Sequence, residues 1–165
     1  MRNAAPYVAA ALNSLLADDL NLEIVVIDDG STDGCADIVR QRKDPRVRLL
    51  RGPERGIAAC LNMALENSSG TYWMRCDADD LYPPGRIRAQ SHWLTENPSY
   101  GAICGGFTAI DSKGAMVSQL ACDEASPRDV HWEMNRGILM THLGTFAFRR
   151  QFYAAQRFRE AASVA

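Results

Sequence analysis

The chain has 165 residues, of which 47% are apolar and 23% charged, and this size and composition are ordinary for one globular domain spanning residues 1–165. The formal net charge of −2 offers no basis for binding nucleic acid or an anionic membrane. No apolar run approaches the ~20 residues that a transmembrane helix needs, so the sequence predicts no membrane span.

The cysteines predict reduced thiols. They are widely spaced, and no pair has the C-x-x-C spacing of zinc or redox sites. An odd number of cysteines without a signal peptide favours the cytoplasm, where thiols stay reduced. We expect each to be a small buried apolar side chain. The set is Cys35, Cys60, Cys76, Cys104 and Cys122.

Apolar periodicity in the first fifty residues predicts two helices that alternate with two strands. Between residues 8 and 16 the apolar side chains recur at helical spacing, and this helix ends near Asp18. Residues 23–27 form an apolar, β-branched run, which is typical of a strand covered on both faces in a parallel sheet. A second helix then ends near Pro45, and residues 47–50 predict a short second strand.

The turn after the first strand combines two carboxylates with a glycine. Asp28 and Asp29 end the strand, and Gly30 permits a tight turn. Ser31 or Thr32 can cap the helix that follows. Carboxylates that end a strand place negative charge at the carboxyl edge of a sheet, which is where open α/β sheets bind ligands.

The middle of the chain repeats this pattern and ends in a second acidic cluster. A loop over residues 51–56 leads into an amphipathic helix, which residues 68–70 close. A strand over residues 72–76 follows. Directly after it, three carboxylates fall within four residues, at Asp77, Asp79 and Asp80.

Two interpretations of this acidic cluster are open. Neighbouring carboxylates repel one another, so they need a cation or hydrogen-bond donors to stay ionised together. A divalent metal held by oxygen ligands would meet that need. The alternative is a solvated acidic turn, because Asp is common in turns. The acidic strand end at Asp28 and Asp29 favours the ligand site.

The rest of the chain predicts a helix over residues 86–96, stopped by Pro98, and then mostly strands. The alternation of helices and strands along the chain implies parallel β-α-β units with right-handed crossovers. The later predicted elements are strands over residues 102–104 and 107–110, a hairpin return over 116–120, a helix over 127–134 and a strand over 145–149.

Three segments of the chain resemble family 2 glycosyltransferases. Residues 23–33 resemble the nucleotide-binding strand end of that family, and residues 55–62 resemble the start of its next helix. Residues 76–80 resemble its D-x-D metal motif, and residues 83–86 the segment after that motif. The similarity runs over residues 2–160, with the motifs in the family's order.

The resemblance implies a GT-A fold, an α/β fold with a doubly wound, Rossmann-like and mostly parallel sheet and helices on both faces. It implies a nucleotide-sugar donor, such as a UDP-sugar, and Mg²⁺ or Mn²⁺ as cofactor. By analogy, Asp28 or Asp29 would contact the base, Asp77 the ribose or base, and Asp79 the metal. Arg55 lies in a loop where phosphate contact is possible, with a solvated arginine as the alternative.

Three further residues keep two interpretations each. Asp80 is either a second metal ligand or a helix cap. Arg75 pairs either with the carboxylates or with pyrophosphate. His142 lies where the family often has polar residues near donor or acceptor, and a structural histidine is the alternative.

Two departures from the family bear on activity. The family's first strand normally precedes the residues that match Arg2 and is missing here, so we expect an open strand edge beside residues 23–27 that invites self-association. The family's general-base Asp follows a Gly-Gly-Phe-Arg-Glu-like stretch. Residues 156–160 stand in that place without the glycines, and no match to the base remains. We therefore expect a poor catalyst.

Three functional hypotheses follow. The first is metal-assisted, inverting transfer of a sugar from a nucleotide-sugar to a sugar, polysaccharide or lipid-linked acceptor, in the cytoplasm or at the inner face of the membrane. The second is a nucleotide-sugar-binding fragment without catalysis. The third is a Mg²⁺-binding receiver domain, which would need a lysine near a late strand, whereas Lys113 falls in a predicted turn.

Overall fold

The computed structural model describes residues 1–121, 142–153 and 157–159. The predicted helix over residues 127–134 and Cys122 lie outside this part of the chain. The helices are α1 (Val8–Leu16), α2 (Cys35–Gln41), α3 (Ile57–Glu66), α4 (Arg86–Glu96) and α5 (Arg150–Tyr153), with a 3-10 turn at Leu143–Thr145. The strands are β1 (Ile24–Asp28), β2 (Val47–Arg51), β3 (Tyr72–Met74), β4 (Ala102–Ile103), β5 (Phe107–Ile110), β6 (Met116–Leu120) and β7 (Ala147–Arg149).

The first packing unit is the parallel β-α-β unit that the sequence predicts. Strand β1 pairs parallel with β2, with Ile24 opposite Val47 and Asp28 opposite Arg51. Successive strand side chains point to opposite faces, and the even-numbered apolar residues of β1 pack with α1 and α2. The core of this unit consists of Val8, Leu12, Cys35 and Val39, with Ile24 and Val26 against it.

The second packing unit is antiparallel. Strand β7 pairs with β3 on one side and with β4 on the other. Trp73 of β3 lies opposite Phe148 of β7, and their ring centroids are 6.1 Å apart. These two residues form a core with Leu65 of α3 and Phe146.

The predicted hairpin is confirmed. Strands β5 and β6 pair antiparallel, with an irregularity between Ala109 and Ile110. The Asp111 carboxylate shapes the turn by accepting the N–H groups of Lys113 and Ala115 at 2.8 and 2.9 Å. Gly114 sits in this turn with a φ of 83°, which a residue with a side chain rarely adopts.

Three details differ from the sequence-based expectation. Of the described strand pairs, β1–β2 is parallel and the other three are antiparallel, because β7 lies between β3 and β4 and runs against both. Strand β3 ends at Met74, two residues before the expected end. Ser31 and Thr32 bind Asn3, so the start of α2 is held by Asp33, whose Oδ1 accepts the Cys35 N–H at 3.1 Å.

A cavity of about 1260 Å³ separates the two packing units. We call its part between β1 and β3 the interstrand slot; residues Ile24, Val25, Val26, Ile27, Tyr72, Trp73 and Met74 line it. Among the described strands β1 pairs with β2 alone and β3 with β7 alone. The expected open edge beside residues 23–27 is therefore confirmed. The carboxyl ends of both strands lead to the candidate site.

Candidate functional site

Asp29 is the buried centre of the β1 strand end. Its side chain is only 6% exposed. One carboxylate oxygen accepts the Glu54 N–H at 2.6 Å and the other accepts the Gly56 N–H at 3.2 Å. A Cβ atom on Gly52 would lie 2.8 Å from the Asp29 Oδ1, so only glycine fits there. Asp29 thus fixes the loop that carries Arg55.

Asp28 has a different environment. It is half-buried, and its Oδ1 accepts the Ser31 N–H at 3.1 Å, which stabilises the turn at Gly30. It borders a separate pocket of about 360 Å³, together with Arg51 and Glu54, whereas Asp29 borders the large cavity.

The loop over residues 52–56 brings Gly56 and Ile57 to the large cavity. Arg55 is exposed and lies between the two residues whose N–H groups Asp29 accepts. On the first turns of α3, burial and the neighbouring Asp29 raise the pKa of Cys60 to about 11, so this thiol stays protonated at neutral pH.

The β3 strand end is organised by an ion pair. Arg75 donates from Nε and Nη2 to the two carboxylate oxygens of Asp77, at 2.8 and 2.6 Å. Such a bidentate pair fixes both side chains. The Arg75 side chain is 16% exposed and the Asp77 side chain 41%. Of the two interpretations of Arg75, the structure shows pairing with a carboxylate.

Asp79 and Asp80 are exposed at the end of the same segment. Desolvation, followed by the charges of Asp77 and Asp79, raises the pKa of the Asp80 carboxyl. The N-cap of α4 is Gly85, whose N–H donates to Asp18 Oδ2 at 3.0 Å. Asp18 therefore serves the helix start, and the helix-cap interpretation of Asp80 is wrong.

Cys76 and Tyr82 contact backbone carbonyl oxygens of the segment that carries the acidic cluster. The Cys76 thiol contacts the carbonyl oxygens of Asp77 at 3.4 Å and Asp80 at 3.8 Å, and burial raises its pKa to about 12. The buried Tyr82 hydroxyl donates to the Arg75 carbonyl oxygen at 2.7 Å. No local sequence pattern predicts either role, because both depend on how the chain folds back after Asp80.

Helix α4 holds the turn that carries His142. Gln90 Nε2 donates to the Thr145 carbonyl oxygen at 2.8 Å, and Arg86 Nη2 donates to the Gly144 carbonyl oxygen at 2.6 Å. His142 is exposed, and a Cβ atom on Gly144 would lie 3.5 Å from Asp80 Oδ2, so this turn lies beside the acidic cluster.

Three of the predicted nucleotide-sugar ligands border the same large cavity. Asp29, Asp77 and Asp79 border the large cavity, Asp28 borders the smaller pocket, and Arg55 lies on the loop between. Within the described ranges, no three His, Cys, Asp or Glu side chains form a metal cage. The arrangement instead suits a cation that takes one or two carboxylates here and its other oxygens from a bound phosphate.

The family profile described as Glycosyl transferase family 2 matches residues 1–158. The chain belongs to glycosyltransferase family 2. The receiver-domain hypothesis is therefore excluded.

Two curated relatives show how far this similarity extends. The succinoglycan biosynthesis protein ExoU of Rhizobium meliloti is 35% identical over 129 residues, 76% of this chain and 36% of that protein. The putative glycosyltransferase EpsE of Bacillus subtilis is 28% identical over 156 residues, 92% of this chain and 54% of that protein. The chain thus spans about a third to a half of these two relatives.

Solved structures show the same fold. The crystal structure of S. aureus TarS 1-349 has a TM-score of 0.69 and 22% identity, covering 91% of this chain and 45% of that one. Its complex with UDP-GlcNAc gives the same TM-score at 21% identity. The GT-A fold that the sequence implied is confirmed. No helix in the described part of this glycosyltransferase family 2 chain is long and apolar enough to cross a membrane.

Proposed function

We propose that the cavity edge formed by Asp29, Asp77 and Asp79 binds a nucleoside-diphosphate sugar, and that the protein transfers the sugar to an acceptor with inversion. The proposal rests on one observation: these three carboxylates line the same cavity in a chain of glycosyltransferase family 2. TarS 1-349, which has the same fold, is known in complex with UDP-GlcNAc and with UDP, and this supports a UDP-sugar as the donor class.

The nucleoside end of the donor is assigned to Asp29 and Asp77. Asp29 is favoured over Asp28 for the base contact because it borders the large cavity and its orientation is fixed by two N–H groups. Asp77, held by Arg75, would accept from the ribose or base. Arg55, on the loop that Asp29 anchors, would contact the diphosphate.

The diphosphate end is assigned to Asp79, with Asp80 as a second oxygen ligand. Burial first, and then the charges of Asp77 and Asp79, raise the pKa of Asp80, and a cation at this position would offset all three effects. Arg75 already compensates Asp77, so the uncompensated charge lies on Asp79 and Asp80. Mg²⁺ or Mn²⁺ bound here would act as a Lewis acid toward the phosphate oxygens of the leaving group.

The reaction is a displacement at the anomeric carbon. The bond from that carbon to the phosphate oxygen breaks, and its electron pair leaves with the nucleoside diphosphate. The acceptor hydroxyl oxygen bonds to the opposite face of the carbon, and its proton passes to solvent water. Inversion follows because the entering and leaving oxygens lie on opposite faces. The acceptor class we propose is a sugar, polysaccharide or lipid-linked sugar, met in the cytoplasm or at the inner face of the membrane.

A second candidate is donor binding without turnover. The segment that stands in place of the family's pre-base stretch is docked on α3: Asn62 exchanges two hydrogen bonds with the backbone of Phe158, at 3.0 and 2.8 Å. The Phe158 ring lies 6.0 Å from Trp73. This segment lacks the glycines that precede the general base in the family. General-base catalysis is typically worth about 10²–10⁴-fold in rate.

Calorimetric titration with UDP and an assay of sugar release from UDP-GlcNAc test both candidates. Binding of UDP together with sugar release above an Asp79→Ala background supports transfer. If UDP binds but sugar release is no faster than in Asp79→Ala, the result supports donor binding without turnover. Absence of binding by UDP and by the other common nucleoside diphosphates, with Mn²⁺ present, would show that the proposal is wrong.

A further inference from the structure

The segment that carries the acidic cluster is closed into a loop by Tyr82. Residues 75–82, which we call the acidic loop, belong to no helix or strand, so they lack the regular backbone hydrogen bonds of either. The Tyr82 hydroxyl donates to the Arg75 carbonyl oxygen, seven residues earlier, at 2.7 Å. Since all three carboxylates lie between these two residues, this one bond joins the ends of the segment that positions them.

The position of the Tyr82 ring is itself fixed. Tyr82 is 5% exposed, and a buried hydroxyl needs a hydrogen-bond partner, which is here the Arg75 carbonyl. The Tyr82 backbone N–H donates to Ser14 Oγ on α1 at 3.0 Å. The guanidinium carbon of Arg86 lies 3.9 Å from the centroid of the Tyr82 ring, which makes a cation–π contact. The end of the acidic loop is therefore held by both α1 and α4.

Arg86 connects this ring to the turn over residues 142–145. Its Nη2 group donates to the Gly144 carbonyl oxygen at 2.6 Å, and its Nε group donates to Gln90 Oε1 at 3.1 Å. A Cβ atom on Gly144 would lie 3.5 Å from Asp80 Oδ2, so the turn borders the acidic loop. One arginine thus contacts both the ring that closes the loop and the turn that lies beside the loop.

A loop that carries several carboxylates needs such support if it is to bind a cation. Like charges repel, which favours conformations in which the carboxylates move apart. A cation binds more tightly to oxygens that are already close together, because ordering a flexible loop on binding lowers the affinity. Since the Tyr82 hydroxyl bonds to a backbone carbonyl, it orders the loop and leaves the carboxylate oxygens available to a cation.

We propose that Tyr82 is a positioning residue for the diphosphate end of the site, and that it acts by closing the acidic loop. Its hydroxyl holds the two ends of the loop together, and Arg86 keeps its ring in place. Asp79 and Asp80 are thereby held near each other, where one cation can bind them. The inference rests on the proposed function, because the cation and the diphosphate are proposed ligands.

Tyr82→Phe tests this role, because it removes the hydroxyl and keeps the ring. The measurement is UDP affinity by calorimetry over a series of Mn²⁺ concentrations. We expect the Mn²⁺ concentration that gives half of the gain in UDP affinity to rise by about tenfold or more, which is typical when a group that orients a metal ligand is substituted. We expect UDP affinity in the presence of chelator to stay at the parent value. Tyr72→Phe is the matched control: it removes a hydroxyl that shares a hydrogen bond with Thr95 Oγ1 at 2.8 Å, and it should keep the parent's Mn²⁺ requirement.

Arg86→Lys is a second variant of the same contact, because lysine keeps the positive charge but lacks the planar group that lies over the ring and makes two hydrogen bonds. We expect it to raise the Mn²⁺ requirement as well. Since both residues act through the Tyr82 ring, the double variant should show less than the product of the two single effects. Effects that multiply in full would show that the role assigned to Arg86 is wrong. Urea midpoints check that each variant is folded.

Two results would overturn the inference while the proposed function stands. One is a Mn²⁺ requirement in Tyr82→Phe equal to that of the parent protein. The other is an equal loss of UDP affinity with Mn²⁺ and with chelator, which would show that Tyr82 supports the fold alone. If the parent protein binds UDP and Mn²⁺ does not strengthen this binding, the proposed cation site is wrong and the inference falls with it.

Discussion

The two acidic strand ends differ in how their charge is compensated. At the end of β1, Asp29 is buried and accepts two backbone N–H groups, and Asp28 accepts one. At the end of β3, Asp77 is paired with Arg75, but Asp79 and Asp80 are exposed and repel each other. The first end is therefore a rigid scaffold. The second keeps unbalanced negative charge, and it is here that we propose a cation binds.

Asp29→Asn tests the scaffold and has the largest expected effect on stability. The substituted amide would present an NH₂ group to one loop N–H, leaving it without an acceptor. We expect the free energy of unfolding to fall by about 2–4 kcal/mol, since hydrogen bonds to a charged group and a buried unsatisfied donor are both involved. Urea denaturation is the measurement. Asp28→Asn is the matched control, with about 1 kcal/mol expected, and an equal loss in both variants would remove the distinction between them.

Arg75→Ala tests the ion pair at the other strand end. We expect a loss of about 1–3 kcal/mol in the free energy of unfolding, because the bidentate bonds between a mostly buried Arg75 and the partly exposed Asp77 are lost. Arg40→Ala is the control: Arg40 pairs with Asp37 at 2.6 Å, but both side chains are more than 60% exposed. Exposed pairs contribute about 0–1 kcal/mol. Similar unfolding midpoints for the two variants would show that Arg75 does not organise the cluster.

Two carboxylates, Glu23 and Asp80, should change the pH dependence of stability in opposite directions. We expect both effects to be smaller than those of the substitutions above. Hydrogen bonds from Ser69 lower the pKa of Glu23, so its contribution to stability is present above about pH 4.5 and is lost as the pH falls through the lowered pKa. The pKa of Asp80 is raised, so the folded state binds this proton more tightly and stability falls as the pH rises above about 3.8.

Two neutral variants separate these contributions. We expect Glu23→Gln to destabilise at neutral pH and to match the parent protein in acid. We expect Asp80→Asn to stabilise at neutral pH, with the gain vanishing in acid and shrinking when Mn²⁺ is present. Urea midpoints across the pH range are the measurement. A destabilising Asp80→Asn at neutral pH would contradict the assigned repulsion.

Much of the fold was predictable where periodicity is strong. Helices α1 and α3, the parallel pair β1–β2 and the β5–β6 hairpin follow from apolar spacing and turn residues. The pairing of β3 and β4 with β7 was not predictable, because strands of two or three residues carry too little pattern to define a partner. The cap of α2 was missed because Asn3, distant in sequence, binds Ser31 and Thr32.

The residue types of the candidate site were predictable, but the structural role of each residue was not. Paired carboxylates at two strand ends indicated a ligand site, and three of them border one cavity. That Asp29 would organise a loop, that Arg75 would neutralise Asp77, and that Gln90 and Arg86 would hold the His142 turn all depend on contacts between distant segments. No local pattern encodes these contacts.

The most direct test of the account is the metal dependence of UDP affinity in the parent protein and in Asp79→Ala, with Asp37→Ala as the exposed-carboxylate control. We predict that Mn²⁺ strengthens UDP binding in the parent and in Asp37→Ala, and that a chelator abolishes the gain. In Asp79→Ala we predict the same weak affinity with Mn²⁺ and with chelator, at unchanged stability. Measurable UDP affinity that is equal with and without chelator in the parent protein would contradict the claim that the β3 strand end holds a cation for the diphosphate.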